Sequence, residues 1–361
     1  MHDPTEILSI ERAHLAALVS ALREAGSMVI APARRTDRAR SVAYRPVERL
    51  DEVVFGERPT GSLKEYFLPR SEPLLRYRRH GQDVTIVELD PAPGPRVVLG
   101  VQPCDAAALP VVDLVMDWDH HDQPWFARRE ATTVISVACG HGDADCFCTG
   151  VGLGPDSAQG ADLLLVPAGE GFLVEVHSEG GAAFVTAHRR FFGDARADAE
   201  AEAFKERARA AQARAVGLDP AAIRVWIEAH FADPTWGGLA QACHACGACA
   251  SVCPTCHCFD IVDEQEGVAG GTRRRNWDSC QIPLFTLHGA GHNPRPDQGS
   301  RLRQRVSHKF AIYPERFGAI LCTGCGRCTR ACPAGIDLLE NLDALQVLAE
   351  AEPTDERGGA A

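Results

Sequence analysis

The sequence predicts an α/β domain with a mostly parallel sheet over residues 1–195, followed by an all-α domain over residues 196–350. Three observations support this prediction. β-branched runs alternate with helical stretches in the first half, the composition becomes rich in Ala, Glu and Arg near residue 195, and two cysteine-rich repeats occur in the second half. The last residues, 351–361, are polar and are predicted to form a disordered tail.

The first half is predicted to alternate helices with strands. Residues 6–25 have the spacing of an amphipathic helix, because Leu15, Leu18 and Leu22 recur at three- and four-residue steps. The run DAAALPVVDLVM is also predicted to be helical, with an interruption at Pro110. Strands are predicted for the runs SMVIAP (27–32), VTIVEL (84–89), RVVLGV (96–101), TTVISVA (132–138), DLLLVP (162–167) and FLVEVH (172–177). The last two runs are close enough to form a hairpin.

The second half is predicted to be helical on both sides of the cysteine repeats. Residues 197–217 are rich in helix-forming residues and end at Gly217, a typical helix stop. The run AAIRVWIEAHF follows Pro220 as a second helix, and residues 337–350 are predicted to form the last one. Between the repeats, residues 289–300 (GAGHNPRPDQGS) are predicted to be a loop.

Length, charge and composition limit the function. The chain has 361 residues, 45% of them hydrophobic, which is enough for two domains with a core each. Its formal net charge of −12 disfavours nucleic acid and anionic membrane surfaces as partners. No apolar run has the length of a bilayer span, and the N-terminal residues lack the apolar core of a signal peptide, so we expect a cytoplasmic protein. In that reducing compartment, 15 cysteines indicate metal ligation rather than disulfides.

Two segments share the cysteine spacing C-x2-C-x2-C-x3-C-P. We call CHACGACASVCP at 243–254 the first comb and CTGCGRCTRACP at 322–333 the second comb. This spacing is the signature of bacterial ferredoxins with two 4Fe–4S clusters, in which the fourth cysteine of each comb binds the other cluster. The predicted ligands of one cluster are Cys243, Cys246, Cys249 and Cys332, and those of the other are Cys322, Cys325, Cys328 and Cys253.

Zinc is the alternative occupant of the combs. Zinc sites usually use two pairs of ligands with longer gaps between them, whereas these are two identical runs of four cysteines. The long separation of the combs and the helices predicted around them favour a helical ferredoxin-like arrangement over a small ferredoxin built on β-hairpins.

A further group of cysteines predicts a third metal site in the first half. Cys104 and Cys139 each come directly after a predicted strand, and ligands in open α/β sheets collect at the carboxyl ends of strands. Cys146 and Cys148 follow closely. We therefore expect a third 4Fe–4S cluster on these four residues, with buried free thiols or a zinc ion as the alternatives.

Three cysteines remain, Cys256, Cys258 and Cys280, and all lie between the combs. Three thiols do not fill a four-ligand site, so a further metal site here would need His257, Asp260 or a water molecule. The alternative is that the three thiols lie beside the first cluster without binding it.

The sequence lacks the known nucleotide-binding and hydrolase motifs. No G-x-G-x-x-G follows a predicted strand, and neither a Walker A segment nor a serine nucleophile elbow is present. A nicotinamide or flavin site built on these motifs is therefore expected on another chain.

Basic residues cluster between the combs of this acidic chain. Their charge would offset the negative charge of the clusters or dock an acidic partner, and RNA binding is a weaker alternative. A solvated helix face is the simplest interpretation, because Leu302, Val306 and Phe310 mark the buried side of the same helix. The basic cluster comprises Arg273, Arg274, Arg275, Arg295, Arg301, Arg303, Arg305 and Lys309.

Several motifs together resemble one protein family over residues 28–345. These are EYFLPRSEPLLRY, GVQPCDAAAL, CFCTGVGLGP, GADLLLVP, CPTCHCFD, RRRNWDSC and GHNPRPDQGSRLRQRVSHKF. They resemble the iron–sulfur beta subunit of cytoplasmic nickel–iron hydrogenases, the sulfhydrogenase beta subunit, and its relative, the corresponding iron–sulfur subunit of anaerobic sulfite reductase. Gln102 and His257 depart from the family pattern, which bears on cluster tuning.

The resemblance implies an electron-transfer subunit rather than a stand-alone enzyme. Its clusters would pass electrons between a flavoprotein subunit, which carries FAD and binds NAD(P)H, and the small and large subunits of a nickel–iron hydrogenase. The first alternative is the iron–sulfur subunit of an anaerobic sulfite reductase with a siroheme partner. The second is a catalytic subunit that acts on a sulfur substrate at the cluster of the first domain, and the third is a cluster-bearing sensor.

Overall fold

The computed structural model of the chain describes residues 4–37, 41–89, 93–140, 142–194, 199–211 and 217–351. The strands are β1 Glu6–Glu11, β2 Met28–Arg34, β3 Val42–Pro46, β4 Ser71–His80, β5 Asp83–Glu88, β6 Arg96–Val101, β7 Thr132–Val137, β8 Leu163–Ala168, β9 Gly171–Val176, β10 Gly193–Asp194, β11 Phe259–Gln265 and β12 Gly270–Trp277.

The helices lie between these strands and around both combs. They are α1 Arg12–Glu24, α2 Pro103–Ala106, α3 Ala108–Met116, α4 Gln123–Glu130, α5 Glu179–Ala187, α6 Ala199–Ala210, α7 Pro220–Ala229, α8 Thr235–Leu239, α9 Ala248–Ser251, α10 Gln298–Ser307, α11 Tyr313–Phe317, α12 Arg327–Arg330 and α13 Leu338–Ala351. A π-helical turn, His308–Ile312, joins α10 to α11.

An eight-stranded mixed sheet forms the first half, in the order β10-β1-β9-β8-β7-β6-β2-β3. Its central strands β2, β6, β7 and β8 are parallel, but the pairs on both flanks are antiparallel. The expectation of a mostly parallel sheet is therefore wrong. β8 and β9 form the predicted hairpin, which reverses the chain direction, and β1 then pairs antiparallel with β9.

The segment before α1 corrects another expectation, because Glu6–Glu11 is a strand and not the start of a helix. Leu8 and Ile10 are buried while their neighbours are half-buried or exposed. This two-residue alternation belongs to a half-buried strand. The predicted interruption near Pro110 is present, because the helical run is divided at Ala107 into α2 and α3, and Pro110 lies in the first turn of α3.

The carboxyl ends of β6 and β7 lie side by side, because these two parallel strands pair directly. Cys104 follows β6 at the start of α2, and Cys139 follows β7. The sheet therefore delivers both thiols to the same edge, as the sequence predicted.

A second sheet joins the two halves, in the order β11-β12-β4-β5. The expectation of an all-α second half is wrong, because β11 and β12 lie between the combs and β12 pairs with β4 of the first half. The buried Arg275 of β12 donates to the carboxylate of Glu72 on β4 at 2.6 Å and also pairs with Asp122. The predicted boundary at residue 195 stays a prediction.

The helices of the second half share an apolar core that also includes Phe147 from the first half. α7 packs against α13 and against α10, so their apolar faces are buried together. The core includes Ile223, Trp226, Ile227, Leu302, Val306, Phe310, Leu342 and Leu345. The predicted tail, 351–361, lies outside the described residues apart from its first residue, Ala351, which ends α13. No helix in the described part of the chain has the length and hydropathy needed to cross a bilayer.

Candidate metal centre

The two combs adopt the same local conformation. Ala245 and Gly247 of the first comb have φ angles of +56° and +71°, and the matching Gly324 and Gly326 have +60° and +66°. In each comb the backbone N–H two residues after the first cysteine donates to that cysteine's sulfur, at 3.4 Å from Ala245 to Cys243 and at 3.5 Å from Gly324. Positive φ angles turn the backbone so that its N–H groups point towards the sulfur atoms, as ligand loops of iron–sulfur clusters require.

The fourth cysteine of each comb lies in the cavity formed by the other comb. One cavity, which we call the first site, is lined by Cys243, Cys246, Cys249 and Cys332. The second site is lined by Cys322, Cys325, Cys328 and Cys253. The structure thus brings together the two sets of four thiols that the repeat spacing predicted.

A third cavity lies at the carboxyl edge of the large sheet. This third site is lined by the four predicted cysteines of the first half, Cys104, Cys139, Cys146 and Cys148. Its wall also includes Arg58 and Gln102, which the sequence did not identify as lining residues. The four thiols come from two strand ends and one loop, so the sheet edge gathers them.

The three sites lie in a row, because neighbouring sites share lining residues. Cys328, Arg305 and Leu338 line both the first and the second site. Cys325, a lining residue of the second site, also borders the third. The second site therefore lies between the other two.

The second comb contacts the loop of the third site directly. The N–H of Phe147 donates to the carbonyl of Gly324 at 2.8 Å. A Cβ atom on Gly324 would lie 2.5 Å from the backbone of Phe147 and from the backbone N of Cys148, closer than real Cβ contacts allow. Glycine is therefore required where these two loops meet.

We expect Gly324→Ala to destabilise the protein and to remove iron from the second and third sites. The matched control is Gly318→Ala at the end of α11, where φ is also positive, at +67°, but nothing lies within 4 Å of the new Cβ. The control carries only the left-handed strain of about 1–2 kcal/mol. Urea unfolding and iron content of both variants measure the difference, and equal losses would contradict a close contact at Gly324.

Burial raises the pKa of several thiols that line these cavities. It raises the pKa of Cys148 and of Cys322 to about 12 and that of Cys328 to about 11. At these pKa values the thiols are protonated at neutral pH until a metal binds. Metal ligands are thiolates, so loading of these sites releases protons.

Three buried cations surround the combs without a carboxylate partner. Lys64, Arg305 and Lys309 have 6%, 4% and 2% of their surface exposed, and none forms an ion pair among the described residues. A buried charge is costly unless an opposite charge lies near it. A 4Fe–4S cluster with four thiolates is an anion, so these cations fit a cluster at the combs.

A buried ion pair lies between the second and third sites. Arg327 of the second comb donates to both carboxylate oxygens of Asp105 at 2.8 and 2.6 Å, and both side chains are at most 1% exposed. Asp105 directly follows Cys104, and the hydroxyl of Tyr44 donates to it at 2.8 Å. This pair fixes the third site against the second comb.

The three remaining cysteines line none of these three cavities. Cys256 lies beside Arg305, whose Nη1 donates to its sulfur at 3.4 Å. The Cys258 and Cys280 thiols interact, which raises the pKa of Cys258 and lowers that of Cys280 to about 6. Among the described residues, no three His, Cys, Asp or Glu side chains lie close enough together to bind one metal ion such as zinc.

The solvated helix face suggested for the basic cluster is wrong for four of its members, one of which, Arg275, is buried on strand β12. Arg301, Arg305 and Lys309 are at most 4% exposed, on the same helical segment as the apolar Leu302 and Val306. Sequence periodicity missed them because it assigns charged residues to solvent. Their four-residue spacing, which places them on one side of the helix, was the available signal.

Comparisons with known proteins agree with the motifs. A family model described as a 4Fe–4S dicluster domain matches residues 242–336, which contain both combs. The chain is also 32% identical, over 282 residues, to the sulfhydrogenase 2 subunit beta of Pyrococcus furiosus. That match covers 78% of this chain and 81% of the relative.

Proposed function

Because the chain belongs to the sulfhydrogenase beta-subunit family, we propose that it is the electron-transfer subunit of a multi-subunit oxidoreductase. In this proposal the chain relays electrons between a flavoprotein subunit, which carries FAD and binds NAD(P)H, and the small and large subunits of a nickel–iron hydrogenase. It acts inside the complex rather than as an enzyme on its own.

The row of three thiol-lined sites carries this proposal. Each site offers four cysteines, the usual ligand set of a 4Fe–4S cluster. Shared lining residues join the first site to the second and the second to the third. A substrate-binding enzyme has no need of such a row, whereas a conduit needs redox centres in series.

The residues of this chain hold and insulate the centres. A 4Fe–4S cluster, when bound, supplies reversible one-electron transfer. The twelve cysteines provide the thiolates, and the backbone N–H groups of Ala245, Gly324 and Ile336 donate to ligand sulfur atoms. Phe147 and Leu338 line the second site and keep water from it.

Iron and sulfide content of the anaerobically purified chain tests the number of centres. We expect about twelve irons per chain, four for each site. A Cys104→Ser, Cys148→Ser variant is expected to keep about eight irons, because the third site loses two of its ligands. Cys258→Ser, outside the three cavities, is the control and keeps full iron content. About eight irons in the unaltered chain would remove the third cluster, and an iron-free folded chain would overturn the proposal.

Co-purification tests the partners. We expect a flavoprotein and a nickel protein to accompany the chain when it is isolated anaerobically from its own cells. A siroheme protein in their place would reassign the chain to an anaerobic sulfite reductase. Turnover of a sulfur substrate by the isolated chain would instead favour a catalytic role for the third site.

A further inference from the structure

The buried cations are distributed unequally among the three sites. Arg305 lines both the first and the second site. Its Nη1 lies 3.4 Å from the sulfur of Cys256, and its Nη2 donates to the carbonyl of Cys249 at 3.3 Å. The guanidinium therefore lies between the two sites and contacts Cys249 of the first comb and Cys256 just beyond it.

Lys309 lies at the second site alone. The π-helical turn after α10 places it one turn beyond Arg305. Its Nζ lies 3.5 Å from the sulfur of Cys253 and donates to the Thr255 hydroxyl and the Leu321 carbonyl at 3.0 and 2.8 Å. Lys309 lines the second site but not the first.

The cations near the third site are neutralised by carboxylates. Arg58, which lines that site, forms an ion pair with Asp143 at 2.5 Å. Arg327, between the second and third sites, pairs with Asp105. Among the cations that line the three cavities, positive charge without a carboxylate partner is therefore largest at the second site, smaller at the first and smallest at the third.

We propose that Arg305 raises the reduction potentials of the first and second sites and that Lys309 raises that of the second site alone. The second site then has the highest potential of the three and holds the electron between transfers. A cluster gains negative charge when it is reduced, and a nearby buried cation stabilises that form. This inference rests on the proposed function, since it needs clusters at the three sites.

Redox titration of the anaerobic chain, followed by EPR, tests the inference. Each signal is first assigned by its loss in a cysteine variant of that site. We expect Arg305→Gln to lower the potentials of both comb sites and Lys309→Met to lower that of the second site only. Each shift should reach at least a tenfold change in the reduction equilibrium, about 59 mV for a one-electron couple.

Two further variants separate charge from structure. Arg303→Gln is the control on the same helix, because Arg303 lies over the ring of Phe231 at 4.2 Å and lines none of the three sites. It should leave all potentials unchanged. Arg305→Lys retains the charge and should keep both potentials near those of the unaltered chain.

The outcomes distinguish this inference from the proposed function. If the EPR signals are present but Arg305→Gln shifts neither potential, or shifts one alone, the inference is wrong and the relay still stands. A shift in Arg305→Lys as large as that in Arg305→Gln would also overturn it, because charge would then not be the cause. If no cluster signals are found in any preparation, the proposed function itself fails.

Discussion

A Cys332→Ser chain is expected to lose the cluster of the first comb, although Cys332 belongs to the second comb. Cys332 lines the first site together with Cys243, Cys246 and Cys249. The iron content should fall from about twelve to about eight per chain. Iron analysis of the anaerobically purified variant measures this loss.

Combined substitutions test whether the fourth cysteine of each comb binds the cluster of the other comb. A chain that already lacks the other three thiols of the first site, with Ala at 243, 246 and 249, should lose no further iron when Cys332→Ser is added. If each comb instead held its own cluster, the added substitution would damage the second cluster and the iron content would fall again. That result would contradict the crossed arrangement.

Asp105→Asn is expected to cost about 3–5 kcal/mol of stability, because it leaves the guanidinium of Arg327 buried without its counter-charge. The substitution keeps the shape of the side chain, so the loss of stability measures the effect of removing the carboxylate charge. The shift in the urea unfolding midpoint of the anaerobic protein measures it. We also expect loss of iron from the third site, since Asp105 follows Cys104.

An exposed ion pair of similar geometry provides the control. Arg23 donates through two nitrogens to Glu48, whose side chain is 67% exposed. Glu48→Gln should cost no more than about 1 kcal/mol. Adding Arg327→Met to Asp105→Asn removes the orphaned charge and should recover part of the stability, and a double-mutant cycle gives the coupling. Equal effects at Asp105 and Glu48 would contradict the role assigned to burial.

The sequence predicted the parts of the site that depend on local spacing. The comb spacing identified both sets of crossed thiols, and the strand ends before Cys104 and Cys139 located the third set. Period and turn signals also predicted the central strands and the hairpin of β8 and β9. The prediction of the sulfhydrogenase beta-subunit family is confirmed.

The features that the sequence did not predict depend on contacts between distant segments. Strand β11 is mostly exposed and β12 carries three consecutive arginines, so the hydrophobic pattern of both strands is weak, and β12 pairs with the distant β4. The role of Arg327 depends on Asp105, which lies 222 positions away. Lys64 is buried against the carbonyls of Ala250 and Cys256, which a residue-by-residue interpretation of charge cannot anticipate.

The small sheet has a consequence for how the protein is made. Arg275 pairs with Glu72 across 203 positions, so β4, which pairs early with β5, gains its second neighbour β12 only after most of the chain has been translated. Until then the nascent polypeptide presents the open edge of β4, and such edges promote aggregation. The small sheet can therefore close only after β12, Gly270–Trp277, has been translated.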